Sequence, residues 1–163
     1  MTSVAAQNMP GAVTPARVLR RFRVVFNAIR THFRQVEKQV GLGGAQVWAL
    51  SVIRDQPGIG MGAVATSMDI HQSTASNLVK SLLRKGLITL EKAENDRRNV
   101  RLTILPAGAQ LLAEVSGPFE GILPGALGKL GPATLARMDR DLGELIGLLR
   151  ADEAAAETPL AEL

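Results

Sequence analysis

From Gly60 to Gly108 the chain reads GMGAVATSMDIHQSTASNLVKSLLRKGLITLEKAENDRRNVRLTILPAG, and the succession of patterns leaves few folds open. Val64, Ala65 and Met68 give a short helix one apolar side, and Ile70 falls in the turn or linking core that follows. Ser73, Thr74, Ser76 and Asn77 begin a second helix whose buried face is Leu78, Val79, Leu82 and Leu83. Arg84 and Lys85 occupy its last turn, and Gly86 stops it. GLITLEK (86–92) and NVRLTIL (99–105) then read as two strands, the second alternating at Val100, Leu102 and Ile104, with AENDRR between them. The pattern is a helix-turn-helix followed by a β-hairpin wing.

A helix that reads DNA needs one packed face and one face whose side chains reach base edges. Gln72, Ser73, Thr74, Ser76, Asn77 and Lys80 suit the second role. The blander reading of the same residues is helix capping and a solvated surface, and for Lys80 and Arg84 the two readings weigh equally. At the hairpin tip, Arg97 and Arg98 can follow a phosphate backbone or enter a minor groove. Arg101, on the strand behind them, is a candidate phosphate contact. Asp96 beside the arginines is useful only if it orients one of them.

Composition narrows the rest. A chain of 163 residues is one domain by default. Hydrophobic residues make up 46% and aromatic residues 3%, so the core is aliphatic and no aromatic base-stacking platform is available. The formal charge of +4 hides a gradient. Up to Val40 the chain carries Arg17, Arg20, Arg21, Arg23, Arg30, Arg34 and Lys38 against Glu37 alone, whereas from Ala151 onward it carries four acids and no base. With no cysteine, disulfides, thiolate redox chemistry and zinc-thiolate sites are excluded. No apolar run reaches membrane-spanning length and no secretion signal is visible, so a cytoplasmic location without membrane partners is expected. His32 and His71 are the only histidines, too few for a histidine-rich metal site. No GxSxG, P-loop or HExxH pattern occurs, and the GLGG run at Gly41–Gly44 lacks both a preceding strand and a following Lys-Ser/Thr. The chain reads as a non-enzyme with no metal and no cofactor.

Taken in order, residues 1–14 read as a flexible tail, with Thr14 capping and Pro15 opening a helix. Residues 16–40 form a long helix with one apolar stripe from Val18 to Val40. After GLGG, a largely buried helix (45–55) carries Trp48, whose common role is a core anchor and whose alternative is a ligand-pocket wall. The segment 106–116 is a helix opened by Pro106, residues 119–131 are broken by Pro124, Gly125 and Gly128, and residues 132–150 form a last, leucine-rich helix. Residues 151–163 read as a flexible acidic tail. The fold class is mainly α with a small β-hairpin wing: one winged helix-turn-helix domain over 15–150. Its DNA-binding lobe spans about 45–105, and N- and C-terminal dimerisation helices span about 16–40 and 106–150. A homodimer built from the ends would hold two reading heads on an inverted repeat of double-stranded DNA.

The pieces VATSMDIHQSTASNLVKSLLRKGLI and DRRNVRLTILPAG, at this spacing, resemble the MarR family of winged-helix transcriptional regulators over roughly Phe22 to Arg150. The resemblance implies a triangular homodimer with interleaved terminal helices, a recognition helix in the major groove and a wing arginine in the adjacent minor groove. It implies that Asp96 positions that arginine, and that the protein is a repressor released by a small aromatic or anionic effector bound between the dimer helices and the lobe. His32 and Trp48 are the candidate pocket residues. Three positions depart from the family pattern: Asn77 and Leu90 stand where arginine is common, and Leu105 stands where threonine usually caps the next helix. Two rivals are a protein-interaction module that uses the winged-helix surface, and an architectural DNA-binding protein with little sequence preference.

Overall fold

The structure is a computed structural model that describes residues 12–163, apart from the side chains at 97 and 98. The tail expected over 1–14 therefore lies, up to residue 11, outside the described residues. Helix α1 (Pro15–Val40) starts as its sequence dictates, with Pro15 in the first turn and the Thr14 hydroxyl accepting from the Arg17 amide at 3.2 Å. It ends at Gly41, whose φ of 69° is the left-handed conformation that glycine adopts without penalty. Helix α2 (Gly44–Asp55) follows and is the centre of the molecule. Val47, Ala49, Leu50 and Ile53 are all at most 1% exposed, because α2 is covered by α1, α3, α4, α5 and the hairpin at once.

Helices α3 (Met61–Met68) and α4 (Gln72–Arg84) form the helix-turn-helix. Asp69 makes the turn with φ 52°, and Ile70 plugs it, as a buried residue of the main core. Strands β1 (Ile88–Ala93) and β2 (Asp96–Ile104) pair antiparallel, Ile88 opposite Ile104 and Leu90 opposite Leu102, with a register irregularity at Lys92/Ala93 near the tip. A single bridge from Ile59 to Leu102 staples the hairpin to the loop before α3. The Leu102 amide donates to the Ile59 carbonyl at 2.9 Å, and the Gly58 amide donates to the Leu102 carbonyl at 2.8 Å. Leu102 itself is fully buried, so the base of the wing belongs to the core and only its tip is free to extend.

After the wing come α5 (Pro106–Ala113), α6 (Ile122–Leu127) and α7 (Pro132–Leu149). Helix α6 corrects the sequence reading, which left 119–131 as a broken stretch. Pro124 is the third residue of α6, where the missing N–H would have no intrahelical acceptor anyway, so the proline is compatible with a short helix. The C-terminal segment is a second correction. It does not trail away: 3-10 turns at Glu153–Glu157 and Leu160–Glu162 lay it back against α1 and α2. The Asp152 carboxylate caps the first turn by accepting from the Ala154 amide at 3.0 Å. Pro159 is buried and Ala161 packs on the core, so apolar burial holds a segment whose acidic composition suggested a solvated tail.

Helix α7 is the unsatisfied element. Leu135, Met138, Leu142, Leu145, Ile146 and Leu149 recur at spacings of three and four, yet none of its residues is buried. The first half of α1 is in the same state, with Val18, Leu19, Val25 and Phe26 between 40% and 55% exposed. The two apolar faces meet along an open cavity lined by Val18, Phe22, Leu127, Met138 and Leu142.

Candidate nucleic-acid interface

Helix α4 separates its residues cleanly. Ala75, Leu78, Val79 and Leu82 are at most 4% exposed, which fixes one face against α2 and α3. Burying a leucine or valine side chain contributes about 1.5–3 kcal/mol, so this face determines how the helix sits. Gln46 of α2 adds a directional tie, its amide donating to the Ser81 hydroxyl at 3.1 Å. The other face presents Gln72, Ser73, Asn77, Lys80 and Arg84 to solvent, with Thr74 and Ser76 half-buried along its flanks. All six recognition-helix candidates thus lie on the outward side or its edges, and the helix is held from behind.

The N-terminal end of α4 carries a residue whose structural part the sequence reading left open. His71 is the cap: its Nδ1 accepts from the Ser73 amide at 3.2 Å and lies 2.7 Å from the Ser73 hydroxyl. The Ser73 backbone and hydroxyl thus both meet the same ring nitrogen at the start of α4. Ser73 is therefore engaged in the cap, while Gln72 and Asn77 are exposed. The backbone amide of His71 donates to the Glu157 carbonyl at 3.1 Å, so the C-terminal segment reaches this same end. A histidine before a serine at a helix start was the available signal for the cap; nothing in the sequence pointed to Glu157.

In the wing, Asp96 opens β2 and pairs in register with Ala93 across the tip. Arg97 and Arg98 follow on the same strand, and their side chains lie outside the described residues. Arg101 is exposed and stands opposite Glu91 in the ladder, so the two share a face of the hairpin. Leu90 is half-buried and packs on the core, which accounts for an apolar residue at that departure from the family pattern. Leu105 precedes α5 without a side-chain cap, and its amide donates instead to the Leu87 carbonyl at 2.9 Å. Gly108 then lets α5 approach the base of the hairpin closely, at Leu87 and Ile104. A Cβ there would overlap the Leu87 carbonyl oxygen and come 2.9 Å from Ile104 Cγ1.

The two pocket candidates part company. Trp48 is half-buried and lines a cavity of about 350 Å³ together with Ile29, Phe33, Ile70, Leu123 and Leu160. His32 is not among the residues lining this cavity. Its Nε2–H donates to the Pro118 carbonyl at 3.1 Å and its ring packs edge-on against Phe33 at 5.2 Å, both structural contacts. Among the described residues there is no cluster of metal-ligating side chains and no helix long and apolar enough to cross a membrane.

Comparison with known proteins places this geometry. A model of the MarR family matches residues 40–99, which run from the end of α1 into the wing. A protein of Thauera aromatica assigned as a transcriptional regulatory protein for the hcr operon is 32% identical over 143 residues, covering 86% of this chain and 80% of that protein. The structure of Bordetella bronchiseptica BpsR, whose DNA binding is regulated by 6-hydroxynicotinic acid, superposes with a TM-score of 0.55 at 27% identity, over 83% of this chain and 99% of that one. The S. aureus MepR–DNA complex shares the fold, with a TM-score of 0.56 at 20% identity over 81% of this chain and 97% of that one. These relatives are regulators of transcription, not enzymes.

Proposed function

The chain belongs to the MarR family of transcriptional regulators with a DNA-binding winged helix, and on that premise we propose that it acts as a cytoplasmic homodimeric repressor on an inverted-repeat operator. The observation that carries the reading is the division of α4 into a buried aliphatic face and an outward face of Gln72, Ser73, Thr74, Ser76, Asn77 and Lys80. Gln72 and Asn77 bear amides that can pair with adenine in the major groove. Lys80, Arg84 and Arg101 supply phosphate contacts. Arg97 and Arg98 bring positive charge to the wing tip, with Asp96 as the residue that orients an arginine there. Repression follows from occupancy of a promoter.

The dimer is supported by the uncovered apolar stripes of α1 and α7. Exposed apolar stripes of this kind mark an interface, and two copies would pair through them. An effector would enter the Trp48 cavity, which lies between α1 and the helix-turn-helix. Its apolar wall suits an aromatic molecule, and the 6-hydroxynicotinic acid of BpsR is a first compound to try. By favouring one spacing of the two heads, such a molecule shifts the population away from the DNA-competent state.

The test is selection of fragments from the host's genomic DNA by purified protein. The reading requires enrichment of a shared inverted repeat. Retention of fragments without any common sequence would instead favour the architectural rival, and retention of none would favour a protein-interaction module.

A further inference from the structure

We propose that the C-terminal segment, residues 151–163, is a ligand of its own chain. It packs in the apolar groove between α1, α2 and α6 as one wall of the Trp48 cavity, is displaced by a small molecule that fills the groove beyond that cavity, and reports its own occupancy to the recognition helix. The part that concerns the recognition helix rests on the DNA-binding reading above; the part that concerns the groove does not.

Three observations converge. Within this acidic stretch Pro159, Leu160 and Ala161 form one apolar run, and all three meet the body. Pro159 is buried, Ala161 packs on the main core, and Leu160 lines three of the cavities along α1. Second, the Trp48 cavity is walled on one side by Ala156, Thr158, Pro159 and Leu160, so the segment forms part of the site. Third, the Glu157 carbonyl accepts the backbone N–H of His71, the residue that caps α4. The same short stretch therefore touches the cavity and the end of the helix that meets DNA.

The attachment is weak enough to be reversible. Among the described residues, no ion pair involves Asp152, Glu153, Glu157 or Glu162, and Leu160 is 39% exposed. A few apolar contacts and backbone bonds hold the segment, and a ligand able to bury more apolar surface in the groove can displace it. While docked, the segment holds the negatively charged Glu157 beside the His71 end of α4, where it opposes an approaching phosphate backbone.

Trp48 is the only tryptophan, so its emission reports the groove directly. A chain ending at Arg150 is compared with the full chain. Its emission moves to longer wavelength as Trp48 gains water, and a synthetic peptide of residues 151–163 added in excess reverses the shift. The same peptide carrying Pro159→Asp and Leu160→Asp does not. The same two substitutions in the full chain reproduce the truncated spectrum, which guards against misfolding of the shortened chain. Identical emission from full and truncated chains, or equal action of the two peptides, overturns the groove assignment. For the link to α4, both chains are titrated with a genomic fragment selected as above. The truncated chain binds about threefold or more tightly at low salt, and the difference narrows as salt screens the carboxylates. Equal affinities at low salt overturn the link. If neither chain retains any fragment, the DNA reading fails, while the Trp48 measurement still decides the groove.

Discussion

Asn77 is exposed on α4 immediately before the buried pair Leu78 and Val79, so its amide projects outward from a helix turn that cannot rotate. Replacing it tests base reading with little disturbance to folding. Asn77→Ala is expected to lose about 1–3 kcal/mol of discrimination at one base pair of each half-site, with stability changed by less than about 0.5 kcal/mol. Fluorescence anisotropy over single-base operator variants, beside a urea unfolding curve, separates the two. Lys80 lies on the same face three residues on, and as a point charge it should behave differently. Lys80→Ala weakens binding by a similar factor at every sequence and flattens the dependence of log K on log salt by about one unit. A sequence-dependent loss at Lys80 would reassign it from phosphate to base.

At the level of elements, the wing is anchored where α5 meets the base of the hairpin. Gly108 is required there because the Leu87 carbonyl and Leu50 leave no room for a methyl group. Gly108→Ala should destabilise the protein by about 1–3 kcal/mol, seen as a lower urea midpoint with an unchanged slope. The helix-turn-helix, the presence of two wing strands and the long outer helices were legible in the sequence, since each rests on a local period or stop: Leu78–Val79–Leu82, Val100–Leu102–Ile104, Gly41 and Gly86. Among the recognition-helix candidates, the outward side was legible for the same reason. What could not be read locally depended on partners far away in the chain. Helix α6 was hidden by Pro124, whose effect depends on where the helix starts. The Ile59 staple on Leu102 and the seating of Pro159 are contacts between distant segments, and the acidic residues around Pro159 masked its apolar neighbours. His32, a pocket candidate from its place on the first helix, meets Pro118 and Phe33, contacts between distant or neighbouring segments that no local period announces.

For the whole molecule, the decisive fact is that two elements at opposite ends of the chain leave aliphatic stripes uncovered. In α7, Met138 and Leu142 line the cavity beside α1 and stay 38% and 41% exposed. Met138→Asp with Leu142→Asp places charge in the proposed interface without touching the buried core around α2. Sedimentation should show this variant as a monomer, and its affinity for the operator should fall by at least about tenfold as the second head is lost. If Lys80, Arg84 and Arg101 meet phosphate as proposed, binding is electrostatic in part, and affinity should drop steeply between low and physiological salt. The most direct test of the account is the stoichiometry of the complex, measured by sedimentation of the protein on a duplex carrying the selected repeat. Two chains per duplex, with half-sites centred about 10 base pairs apart, is the predicted result; one chain per duplex at saturation would contradict it.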